Sequence, residues 1–177
     1  MKRTFRALAV LTLLVASFSS CKKDSNSAAG SFTYDSKAYN TNAGQYITTS
    51  GSNYSNLVLS STSITTSANF NGTISYVDFM FDNSAITEGT YTYKQDTDEG
   101  YDAKKNFFDG QAAINLVVAN GSITGGTLLG DVSEGTVTIT KSGSSYSITY
   151  SLTFADGKTS ITGKYNGSIE TVTNQPD

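Results

Sequence analysis

Residues 145–154 alternate without a fault: Tyr146, Ile148, Tyr150, Leu152 and Phe154 hold the even positions, and every odd position is Ser or Thr. Side chains on a β-strand repeat every two residues, so as a strand this stretch buries one face and wets the other. Coiled as a helix, the same apolar residues would spread around the whole cylinder. Asp156-Gly157 follows, a pair that tolerates the backbone of a tight hairpin. The chain then returns with Ile161, Gly163, Tyr165, Gly167 and Ile169 on one face, and Thr162, Lys164, Asn166 and Ser168 on the other. Glycines on an inward face point to a bend or to the close approach of a neighbouring element.

The same texture runs through the chain. Val137 and Ile139 alternate with threonines over 136–140, and Ser142-Gly143-Ser144 turns that segment into 145–154. Ile114, Leu116 and Val118 mark another strand, turned by Asn120-Gly121. Over 73–81, Val77, Phe79 and Phe81 face inward while Ile74, Tyr76 and Met80 share the outer face with Asp78. Such an apolar outer face calls for cover on both sides, or for a bulge near Tyr76 that switches the phase. Residues 89–94 put Tyr91 and Tyr93 on one face, and 31–35, 38–41, 45–50 and 54–60 are shorter candidates. No stretch keeps a helical period, although 101–108 suits a single turn. The expected fold is all-β: a single antiparallel β-sandwich or lipocalin-like barrel of about 8–11 strands. Composition is uniform over 31–173, which is ample for one domain with a core. Residues 174–177 form a tail, and Pro176 is the only proline, so strand edges depend on Lys, Gly and bulges for protection.

The N-terminus has a different character. Lys2, Arg3 and Arg6 precede an apolar run over 7–18 that only Thr12 and Ser17 interrupt. A spanning helix needs about 20 apolar residues, so this run suits a cleavable export signal instead. The signal ends in Phe18-Ser19-Ser20-Cys21, which resembles the lipobox of bacterial lipoproteins. That resemblance implies removal of residues 1–20 and acylation of Cys21 on its thiol and its new amine. Cys21 is the chain's one cysteine, so no intramolecular disulfide competes for it. Two or more acyl chains anchor a protein stably without a spanning helix. Residues 21–30 then read as the lipidated cysteine and a flexible polar tether.

What is missing from the rest narrows its chemistry. Beyond the signal there are nine lysines and no arginine against 15 Asp plus Glu, a formal balance of −6. Without guanidinium forks, and with net negative charge, the domain is not expected to bind nucleic acid. Histidine is absent, and the only thiol goes to lipid. Ser-His-Asp and Cys-His catalysis are therefore excluded, as are the His and Cys ligands that zinc, copper and haem prefer. Carboxylate or Ser-Lys chemistry remains open.

Several segments together resemble the small β-domain lipoproteins of Bacteroidota. They are Cys21-Lys22-Lys23-Asp24, the opening hairpin Phe32-Thr33-Tyr34-Asp35-Ser36-Lys37-Ala38-Tyr39, the stretch Ile86-Thr87-Glu88-Gly89-Thr90-Tyr91, and the closing meander over 135–169. The resemblance implies a lipid-anchored cell-envelope protein with an all-β domain. Lys22 in place of Asp after the cysteine implies the outer membrane, on either the periplasmic or the surface face.

Two neighbouring segments carry candidate binding chemistry. Asp96-Thr97-Asp98-Glu99-Gly100-Tyr101-Asp102 gathers acids in an expected loop, and Asp96, Asp98 and Asp102 are the candidate oxygen ligands for Ca²⁺. The glycine is fifth and Phe107 is twelfth, where an EF-hand places Glu, so a solvated acidic loop is the simpler reading. No other cofactor is expected. Phe107-Phe108 comes next, and adjacent residues of a strand face opposite ways. With Tyr101, an exposed ring there would offer a stacking surface for a sugar. Both rings buried at a strand start is the plainer alternative. The 11 tyrosines fall mostly on inward phases, so they serve the core first and a cavity lining second.

The expected function is a non-catalytic binding or interaction domain, tethered to the outer membrane and recognising glycan or protein. A lipocalin-like carrier of a small apolar ligand is the alternative. A carboxylate-dependent glycosidase is the third reading, and it needs two acids facing one cleft.

Overall fold

The computed structural model describes residues 28–64, 70–120 and 122–174. The expected export signal, Cys21 and most of the expected tether lie outside the described residues. Among those described there are twelve strands and no helix, and hence no helix long and apolar enough to cross a membrane. The strands are β1 (Gly30–Tyr34), β2 (Lys37–Thr41), β3 (Ala43–Thr49), β4 (Tyr54–Ser60), β5 (Gly72–Asp82) and β6 (Gly89–Tyr93). They continue with β7 (Asn106–Phe107), β8 (Asp109–Ala119), β9 (Ser122–Ser142), β10 (Ser145–Phe154), β11 (Ser160–Gly167) and β12 (Ile169–Asn174).

These strands form one open, mostly antiparallel sheet, in the order β12-β3-β4-β5-β8-β9-β10-β11-β1-β2. β6 pairs with β9 and with the two-residue β7, off that path. The exceptions to antiparallel pairing are β12 beside β3 and β7 beside β6. Asn42 alone separates β2 from β3, and Ser168 alone separates β11 from β12.

The 145–154 alternation holds in three dimensions. Ile148, Tyr150, Leu152 and Phe154 are buried, with β9 on one side and β11 on the other. Their core is shared with the other half of the sheet: Tyr46, Leu57, Leu59, Val77, Phe79 and Phe81 belong to the same cluster. Phe79 of β5 meets Tyr150 of β10 edge to face at 5.3 Å, which brings the two halves' inner surfaces together. The inward glycines are explained by close approach. A β-carbon on Gly163 would lie 2.4 Å from the Tyr150 ring, and one on Gly167 would lie 2.8 Å from the Tyr165 hydroxyl.

A bulge on β8 switches the phase of a strand that simple alternation would leave regular, since β8 takes three steps from Leu116 to Ala113 against β5's two from Ile74 to Tyr76. The β5–β8 register shifts between Ile74 and Tyr76. On β8, Asn115 adopts φ 48° and is skipped in the register with both neighbouring strands; its N–H donates to the Ser75 hydroxyl at 2.9 Å. Ile114 therefore faces the main core, whereas Leu116 turns to the opposite face. There it packs with Ile74 and Ala113 under Ile64, Phe70, Tyr76 and Val118. The expected strand through Ile114, Leu116 and Val118 is present, but its apolar residues serve two clusters. This second cluster is the cover that the apolar outer face of 73–81 called for.

Candidate functional site

β9 is long because it changes partners. Its first half pairs with β8 through Asp131, and its second half pairs along that same edge with β6 from Thr136. β10 occupies the opposite edge from Val132 onward. β8 and β6 therefore fork apart at residues 132–135. Ser133 is the extra residue of a bulge there, opposite the Thr153/Phe154 step. Its hydroxyl donates to the carbonyls of Thr153 (3.2 Å) and Phe154 (3.0 Å), fixing the bulge.

The fork opens into a two-lobed groove. The wider lobe encloses about 750 Å³ between Tyr93, Gln95, Asp96 and Asp98 on one bank and Phe108, Asp109, Asp131, Val132, Ser133 and Ala155 on the other. The narrower lobe, about 450 Å³, is lined by Thr92, Tyr93, Ser133, Glu134, Gly135, Thr136, Ser151 and Thr153. Tyr93 and Ser133 belong to both lobes, so the depressions adjoin. Among the described residues, the lining holds five carboxylates, a row of hydroxyls and two aromatic rings, and no lysine.

The acidic bank is held by short-range hydrogen bonds. The N–H of Asp98 donates to the Gln95 carbonyl (3.0 Å), and that of Tyr101 donates to the Asp98 carbonyl (3.1 Å). The amide of buried Asn106 donates to the Thr92 carbonyl at 2.9 Å, and its oxygen accepts from Asp102 N–H at 2.9 Å. Asn106 thus ties the returning chain to β6 and carries Phe107 and Phe108 into place.

Of the residues singled out by sequence, Asp96, Asp98 and Phe108 meet in this groove. Phe107 does not: it is fully buried, edge-on to Phe79 at 5.6 Å, so the sugar-stacking role considered for it passes to Phe108 alone. Tyr101 stands behind the acidic bank. Burial is the main reason its phenol is pushed upward, and the charges of Asp82 and Asp96 add to it. Asp102 turns away from the groove. One carboxylate oxygen accepts from Lys104 N–H at 3.0 Å, and the other pairs with Lys105 at 3.3 Å; these contacts hold its carboxyl below the usual range. Asp96, Asp98 and Asp102 are accordingly not gathered around one point, and no group of three acids among the described residues is placed to hold a metal ion. Tyr93, Asp131, Ser133 and Glu134 had no local signal in the sequence. They reach the groove through the β6–β9 and β9–β10 pairings.

A second depression of about 280 Å³ lies where β2 passes β5 and β8, lined by Lys37, Tyr39, Ser61, Ser75 and Asn115 among others. Its polar groups are largely spent on the bulge. Ser75 N–H donates to the Ser61 hydroxyl at 3.1 Å, and Lys37 lies over the Tyr39 ring at 5.3 Å.

Compared with known proteins, the chain matches no family model, no curated protein and no solved structure.

Proposed function

We propose that this is a non-catalytic binding domain, held at the outer membrane by a lipidated Cys21, whose groove takes an extended glycan chain. The observation that carries the reading is the groove's lining, where aromatic faces, carboxylates and hydroxyls run along two adjoining depressions. Sugars present apolar C–H faces ringed by hydroxyls. Phe108 and Tyr93 offer surfaces for the first, and Asp96, Asp98, Asp109, Asp131 and Glu134 accept hydrogen bonds from the second. Five carboxylates without a lysine favour neutral or amine-bearing glycans over uronates and sulfated chains.

We read the sheet as closing in the manner of a barrel. β2 ends one side of the path and continues after one residue into β3, which lies near the other. The rings of Tyr150 and Tyr165 occupy the space beside the inward glycines, which speaks against an internal apolar ligand and for an external groove.

Calorimetric titration of the domain with neutral oligosaccharides tests the reading. Binding lost in Phe108→Ala and in Asp109→Asn/Asp131→Asn, with the fold intact, is the expected result. Cleavage of the same oligosaccharides, abolished by those carboxylate changes, would replace it with a glycosidase.

A further inference from the structure

Among the described residues, Tyr54 is the one aromatic with close to half its surface, 48%, in water. It begins β4 and pairs across to Asp82 of β5, so its position is set by the sheet rather than by a loose loop. Its ring leans on Phe108, with centroids 5.1 Å apart and planes at 57°. Phe108 lines the wide lobe of the groove, so the two rings form a stepped aromatic surface that starts inside the lobe and runs out past its rim. Tyr101 stands close by, near enough for its phenol to sense both Asp82 and Tyr54. Burial elsewhere explains this chain's tyrosines well: Tyr46, Tyr91, Tyr150 and Tyr165 are all core residues. It does not explain Tyr54, whose hydrophobic face stays wet beside the groove's end.

We propose that Tyr54 is the terminal subsite of the groove, a platform for one further sugar ring beyond the ring held at Phe108. This rests on the glycan reading above and extends it. A pyranose laid with its C–H face on Tyr54 would bury the half of the ring now exposed, and the neighbouring Asp82 would accept from its hydroxyls. Stacking of this kind is worth about a factor of ten in affinity. The subsite therefore governs preference for chain length, while the inner lobe governs which sugar is bound.

The test is calorimetric titration of the domain with neutral cello-, malto- and chito-oligosaccharides of increasing length. In the series that binds, affinity should climb with length, and Tyr54→Ala should remove the last step. The expected loss is roughly tenfold for the longest oligomer and none for the shortest. Tyr54→Phe keeps the ring and should keep the step. An equal loss at every length would overturn the proposal, because Tyr54 would then only prop Phe108. Unchanged length dependence in Tyr54→Ala would overturn it while leaving the glycan reading in place. Absence of binding by any series in the wild-type domain would remove the glycan reading and the subsite together.

Discussion

Tyr150 and Gly163 stand directly opposite each other on β10 and β11, and the tyrosine ring covers the glycine where a β-carbon would project. The ring is also held edge-on by Phe79, so it has little room to retreat. Gly163→Ala should therefore cost about 1–3 kcal/mol by overpacking. Urea unfolding measures it, and a Tyr150→Leu background should absorb most of the loss. Gly126→Ala should be at least as damaging, for a different reason. There φ is +94°, and the added carbon would meet the Asn115 carbonyl at 2.4 Å, backbone that cannot swing aside.

Asp78 makes stability depend on pH in an unusual direction. Its carboxyl is pushed up to about 7, chiefly by burial and further by Asp109, although the Gln111 N–H donated to it at 2.7 Å works the other way. A carboxyl raised above its unfolded value contributes fully below about pH 4, and that contribution is lost as pH rises through 7. Asp78→Asn keeps an acceptor for Gln111 and removes the charge. It should match the wild type near pH 4 and exceed it by about 2–4 kcal/mol at pH 8. Denaturant melts across that range give the answer, and equal stability of the two proteins at pH 8 would contradict it.

Phe107 and Phe108 are adjacent in sequence and opposite in consequence. Phe107→Ala empties a fully buried site and should cost about 3–5 kcal/mol. Phe108→Ala truncates a half-buried groove residue and should cost under about 1 kcal/mol, while abolishing glycan binding. Thermal melts paired with titration calorimetry separate the two effects.

Asp156 organises the β10–β11 turn. It accepts from the N–H groups of Lys158 (2.9 Å) and Thr159 (2.8 Å) and from the Thr159 hydroxyl (2.6 Å). These bonds, led by the hydroxyl, hold its carboxyl down to about 2. The stabilisation they give is present above the ordinary carboxylate range and is lost as pH falls through 2. Carbon-detected NMR titration should place its midpoint there, and Thr159→Val should move the midpoint up.

Much of this fold could be read along the chain because the information is local. Strict alternation in β10 and the Asp156-Gly157 turn settle strand and hairpin within fifteen residues, and the structure keeps both, although the connection widens to 155–159 with positive φ at Gly157 and not at Asp156. The cover expected for the apolar outer face of 73–81 is found, since Ile74 and Tyr76 pack in a cluster separate from that of Val77, Phe79 and Phe81, while β5 itself keeps its phase. The bulge at Asn115 gave no such sign. Ile114, Leu116 and Val118 alternate cleanly, and only the Ser75 hydroxyl across the sheet reveals that Asn115 leaves the ladder. Half of the groove could be read for the same reason. Asp96, Asp98 and Phe108 lie within thirteen residues, but Asp131 and Tyr93 meet them only because β9 exchanges β8 for β6.

By itself the sequence determined that this chain makes strands rather than helices, where several of them turn, and which chemistry it lacks, because periodicity and residue type are properties of the chain alone. The tertiary structure decided which aromatic of a pair faces the groove, which acids share it, and that Tyr54 leans on Phe108. Those are distances between residues far apart in sequence, set by strand order and register, and no local pattern encodes them.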